Sequence, residues 1–183
     1  MARQVISVPF GYVPDDEREG PRGTLWVYDS FQAYNMQQLL RVVGLAEQKS
    51  LVKVVFYPLH EETLRRMGEK GAEPYYRRAD KLEELLDEML EQAEPLIETH
   101  IDRWEGRRKK YTPMDTAFRF LSEKDKGPYF VYVTLEMANT MAAFDSFEEW
   151  IKKLRLFIDM RLSPSAVLHP KLEAYAHRWD AVE

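Results

Sequence analysis

The chain has 183 residues, 45% of them hydrophobic, 13% aromatic and 31% charged, with only 8 Gly and 10 Pro; this excludes a disordered, collagen-like or low-complexity chain and predicts one globular domain with a single core. Lys and Arg number 26 against 31 Asp and Glu, a net charge of −5 that argues against nucleic acid as a partner. Zero Cys excludes disulfides, thiolate metal sites and a Cys nucleophile.

The opening segment, MARQVISVPFGYVPDD, has one Arg and a short apolar stretch followed by acids, without the apolar core and small-residue cleavage site of an export signal. No stretch approaches the roughly 18 apolar residues of a membrane span. The expectation is a cytoplasmic protein that does not enter a membrane. A strand is expected at 4–10 and an exposed loop at 14–23, where two Pro and two Gly fall in a polar run. Residues 24–30, TLWVYDS, are rich in β-branched and aromatic types and predict a strand. Asp29 and Ser30 then stand where a helix cap belongs, ahead of Phe31, Leu39, Val42, Val43 and Ala46 at helical spacing, so a helix is expected over 31–48. A second strand at 52–58 ends at Pro58. Strand, helix and strand within about 35 residues predict a parallel βαβ unit.

A short helix follows from His60 to Gly68, then a loop at 68–78. Apolar residues from Leu82 to Trp104 keep helical spacing and predict a long helix over 78–106, kinked or broken near Pro95 because proline removes a helical hydrogen bond and clashes with the turn before it. A short helix is expected at 114–122. At 127–136, GPYFVYVTLE is apolar on both alternating faces, as in a strand covered on both sides. Asp145 or Ser146, with Glu149 three residues after Ser146, predicts a capping box opening a helix that runs through Phe147, Trp150, Ile151, Leu154, Phe157 and Ile158 to Arg161. An edge strand at 163–170 and a helix at 171–179 close the chain. The expected fold is α/β: a single three-layer Rossmann-like domain with a mostly parallel sheet of three to five strands, and the 78–106 helix as an insertion or crossover.

Open parallel sheets bind ligands where strand ends feed helix N-termini. Those places are Tyr28 to Asn35, Pro58 to Thr63 and Glu136 to Thr140. They make Asp29, Ser30, Asn35 and His60 candidate ligand-binding residues, with His60 the residue type best suited to proton transfer near neutral pH. The run Tyr75-Tyr76-Arg77-Arg78 adds Arg77 and Arg78, an aromatic and basic pairing suited to an anion. A basic stretch at 103–110 holds five bases and one acid, where a helix C-terminus would also favour positive charge. No GxGxxG, GxxxxGK[ST], HxGH or GxSxG pattern is present; the stretch after the first βαβ strand where HxGH would stand reads Tyr34-Asn35-Met36-Gln37. The four His are not spaced as metal ligands, so no metal site is expected and no cofactor is named. Two functions fit: binding of a small anionic or nucleotide-like ligand at the strand ends, or a non-enzymatic interaction protein that pairs with a partner or a second copy of itself.

Overall fold

The computed structural model describes residues 22–161 and 166–182. Their core is one parallel sheet in the order β3-β2-β1-β4-β5-β6, formed by Thr24–Asp29 (β1), Lys53–Pro58 (β2), Glu98–Ile101 (β3), Tyr129–Thr134 (β4), Leu154–Asp159 (β5) and Trp179–Val182 (β6). Every neighbouring pair is parallel, with Thr24 opposite both Lys53 and Tyr129. The chain builds outward from β1 to β3, returns to the middle, and builds outward again from β4 to β6. This is the order of doubly wound dinucleotide folds.

Strands β1, β2 and β4 are buried on both sides, which accounts for their lack of polar alternation. On one face Leu25, Val27, Val54, Phe56, Phe130 and Phe157 pack under α1 (Met36–Gln48) and α3 (Tyr75–Gln92). On the other, Trp26, Tyr28, Val55, Tyr57, Val131 and Leu156 meet Leu64 of α2 (Glu61–Arg66), Phe118 of α5 (Met114–Lys124), Met141 of α6 (Leu135–Ala142), Trp150 of α7 (Phe147–Ile151) and Leu172 of α8 (Pro170–Ala174). Helices α1 and α3 of the first half and α6, α7 and α8 of the second therefore lie on opposite faces, as crossovers of one hand require when the direction of winding reverses. The expected three-layer α/β architecture is what the chain adopts.

The described residues form six strands, above the three to five expected; β3 and β5 come out of residues read as helix, and β6 begins where the last expected helix ends. The helix expected over 78–106 is α3, which ends at Gln92; β3 and the five-residue α4 (Trp104–Arg108) follow. Ala93 to Pro95 leave helical geometry and the Leu96 amide donates to Glu47 at 2.8 Å, so proline ends the helix here and does not kink it. The helix expected from Ser146 to Arg161 stops at Ile151, and β5 takes the rest. Ser146 makes no side-chain cap, and the box with Glu149 does not form. Near the end of the chain, α8 and a single 3-10 turn at Ala176–Arg178 give way to β6. The strand expected at 4–10 lies outside the described residues, as does part of the edge strand expected at 163–170; of that stretch, 166–169 are not strand.

The start of α1 is also displaced. Asn35, and not Asp29 or Ser30, caps it: its side chain accepts from the Gln38 amide and the Gln38 side chain accepts from the Asn35 amide, both at 2.9 Å. Phe31 and Ala33 have φ of 61° and 55°, left-handed backbone that no helix contains. The Asp29 carboxylate accepts from the amides of Ser30 and Phe31, turning the chain tightly out of β1 so that five more residues pass before the helix begins. That turn shapes the region described next.

Candidate functional site

Strands β1 and β4 are the point at which the winding reverses, and the helices that follow them leave on opposite faces of the sheet. A cleft of about 510 Å³ opens between their C-terminal ends, within the usual range of small-ligand pockets. Its lining comes from the turn after β1 (Asp29, Ser30, Gln32, Tyr34), the loop after α2 (Met67, Gly68, Glu69), the end of β4 (Thr134) and the start of α6 (Glu136, Met137), with Gln38 and Thr140 beside them.

Asp29 is the central group. Its Oδ1 accepts from the Ser30 amide at 2.6 Å and from the Ser30 hydroxyl and Phe31 amide at 3.4 Å, while Oδ2 accepts no hydrogen bond from the described residues. Burial pushes its carboxyl up to about 6; the two amides hold it down in part and the nearby Glu69 charge pushes it further up. A carboxyl that titrates close to neutrality, with one oxygen unpartnered, can hold or release a proton at a bound ligand. Thr134 caps α6 by accepting from the Met137 amide at 3.1 Å. The Tyr34 hydroxyl is buried and has no hydrogen-bond partner; burial, then the charge of Asp29, keeps it protonated well above the ordinary phenol range.

Of the residues singled out in the sequence, Asp29 and Ser30 stand in this cleft. Asn35 adjoins it as the α1 cap but does not line it. His60 caps α2, its Nδ1 accepting from the Glu62 amide at 3.1 Å, and its ring stacks on Tyr75. Arg77 is exposed on α3. Arg78 is 1% exposed and its guanidinium is committed to backbone carbonyls: those of Ser30 and Leu59 at 2.7 Å from one terminal nitrogen, and that of Glu73 at 2.7 Å from Nε. It ties the ends of β1 and β2 to the start of α3, makes a long contact to Glu61 with its other terminal nitrogen, and has no exposed side-chain surface to offer a ligand. Of the three strand-end stretches, 28–35 and 136–140 meet in the cleft, and 58–63 does not line it.

A second buried carboxyl lies at the end of β2. Glu105 of α4 is 0% exposed, and its Oε1 accepts from the His60 amide at 2.8 Å and the Thr63 hydroxyl at 2.9 Å. Gly106 makes this possible, because a Cβ there would lie 2.4 Å from the Tyr75 ring and hold α4 away from α3. Burial raises the Glu105 carboxyl to about 7, against the pull of those donors and of Arg108. Its Oε2 is unpartnered, as are the buried hydroxyls of Tyr28 and Tyr57 near it.

Sequence reasoning missed Tyr34, Glu69 and Thr134 as site residues. Thr134 could have been found as the last residue before the helix after the clearest strand; Tyr34 and Glu69 carry no local signal. The basic stretch at 103–110 is divided in the structure: Arg103 pairs with Asp80 and Glu83, and Arg108 lies over the Trp104 ring and donates to Thr112 and the Tyr111 carbonyl. Among the described residues no three of His, Asp and Glu converge to hold a metal ion, and no helix is long and apolar enough to cross a membrane. A scan against protein-family models and a search of curated proteins find no match for the chain, so the cleft is interpreted from its own geometry.

Proposed function

We propose that the chain is a Rossmann-like protein that binds a small, nucleotide-sized ligand in the cleft between the ends of β1 and β4, with Asp29 holding or moving a proton on it. The observation that carries this reading is the coincidence of three features at one place: the reversal point of a 3-2-1-4-5-6 sheet, a cleft of about 510 Å³, and a part-buried carboxyl, pushed up to about 6, with an oxygen that no described residue bonds. The phosphate-cradling glycines of dinucleotide folds are absent, so the ligand is held by side chains and by the first turn of α6. A thermal-shift screen with nucleosides, nucleotides and phosphorylated metabolites tests it: a ligand should raise the melting temperature of the native chain and not that of Asp29→Asn. A screen with no hit, or hits indifferent to that substitution, overturns the reading.

A second reading, a scaffold that pairs with a second copy, is supported by one patch. Leu40, Val43, Met89, Ala93 and Pro95 line a shallow groove between α1 and α3, and Leu96 beside it is 91% exposed. Light scattering that returns a monomer at all concentrations overturns it.

A further inference from the structure

The cleft lining is one-sided in charge. Among the described residues it contains three carboxylates, Asp29, Glu69 and Glu136, and no Lys, Arg or His. The arginines that the sequence offers for an anion are elsewhere: Arg77 stands exposed outside the lining, and Arg78 is closed in by backbone carbonyls. Acids alone are common on a protein surface, but here two further observations point inward. Among the described residues no donor bonds Asp29 Oδ2, and the Tyr34 hydroxyl in the cleft wall is buried without a partner, although a buried polar group without one costs about 1–3 kcal/mol. The side-chain carbonyls of Gln32 and Gln38 are already taken by the amides of Glu73 and Asn35. What the cleft lacks is therefore a donor that also carries positive charge. A metal ion does not fit, since no three of these groups converge on one point among the described residues.

Resting on the cleft reading above, we infer that the ligand brings a positively charged nitrogen into the cleft, an alkylammonium, amidinium or guanidinium that donates to Asp29 Oδ2 and to the Tyr34 hydroxyl while Glu69 and Glu136 supply long-range attraction. Such a group has donors and no acceptor, the complement of what these atoms leave open. Charge-assisted hydrogen bonds to a carboxylate are also about twice as strong as neutral ones. The titration of Asp29 gives the inference a sign. A cation binds the ionised carboxylate, so its affinity rises as pH increases through about 6 and a proton is released on binding below that pH; an anion would show the opposite slope. Among the described residues the other titratable groups facing the cleft are Glu69 from the loop after α2, Glu136 from α6 and Tyr34 from the turn ahead of α1.

The test titrates the whole chain with n-propylammonium, its near-isostere propionate, and inorganic phosphate at matched ionic strength, following the backbone amide resonances of Ser30, Phe31 and Met137. Propylammonium should shift them saturably, more tightly at pH 7 than at pH 5, and about tenfold more weakly in Asp29→Asn, a change equivalent to about 1.4 kcal/mol. Glu69→Gln with Glu136→Gln, both made on cleft-lining carboxylates, should weaken it a further few-fold. Saturable shifts from propionate or phosphate that exceed those from the amine, no saturable shift from the amine, or an amine affinity indifferent to Asp29→Asn overturns the inference. A neutral or anionic hit from the ligand screen that shifts the same amides overturns this charge assignment and leaves the cleft reading standing. If the screen returns nothing that moves these amides, the cleft reading falls as well.

Discussion

The C-terminal ends of β1 and β2 lie side by side, and each has a carboxyl, part-buried at β1 and fully buried at β2, raised toward neutrality by desolvation. At β1, Asp29 keeps one oxygen that no described residue bonds and opens onto a cleft. At β2, Glu105 is enclosed: His60, Thr63 and the start of α2 surround it, and Arg78 seals the neighbouring carbonyls. The physical perturbation is the same and the roles differ. A raised carboxyl marks a functional site only where the geometry leaves it something to act on, and the β2 end is a structural joint that resembles a site in composition alone.

The sharpest way to break this contrast is at Arg78. If the β2 end is a joint, Arg78→Leu leaves the carbonyls of Ser30, Leu59 and Glu73 buried and unpartnered, and urea unfolding should record a loss of about 3 to 5 kcal/mol. Glu105 comes next. Its folded value of about 7 lies above the unfolded value of 4.5, so the folded state holds the proton more tightly; the stabilisation is complete below pH 4.5 and is lost as pH rises to 7, by roughly 3 kcal/mol. Glu105→Gln should flatten that part of the stability profile, measured by denaturant unfolding at several pH values. Asp29 has the same sign over a lower window, from its ordinary 3.8 to about 6. For Asp29→Asn the larger readout is ligand affinity, expected to fall about tenfold by calorimetry with any screen hit while the fold persists. The smallest effect is expected at Arg77, whose exposed side chain on α3 should leave both the urea unfolding midpoint and binding in the cleft unchanged in Arg77→Ala. A large effect there would restore the arginine pair as part of a site.

The fold was legible where the strand signal was unambiguous. β1, β2 and β4 are continuous β-branched and aromatic runs, and the parallel pairing of β1 with β2 follows from the helix between them. β3 and β5 were hidden for a common reason: each continues the helical spacing of the segment before it, and a four- to six-residue strand has too few positions to establish its own period. Leu154, Phe157 and Ile158 extend the pattern of Phe147, Trp150 and Ile151, and Lys152 and Lys153 between them offer no glycine or proline to mark a turn. The site was legible in its local half. Asp29 and Ser30 follow from a strand end, and 136–140 from another, but that these two ends face one another depends on β4 lying against β1, a pairing across about a hundred residues that no local signal encodes. Asp29 and Ser30 were misread as caps of α1 because the left-handed backbone at Phe31 and Ala33, neither of them glycine, leaves no mark in composition.

The same strand order sets a schedule for assembly. As the chain emerges from its N-terminus, β1, α1, β2, α3 and β3 can pair among themselves, since each strand meets its predecessor locally. The other edge of β1 stays open until Tyr129–Thr134 has been made, and only then do Asp29 and Thr134 come to share a cleft. Until that moment the first half of the protein carries a strand with one open edge, Leu25, Trp26 and Val27 included, which is a sticky intermediate. The wall that completes the ligand site is also the one that removes this hazard, so a nascent chain halted before residue 129 should be both unable to bind and prone to aggregate.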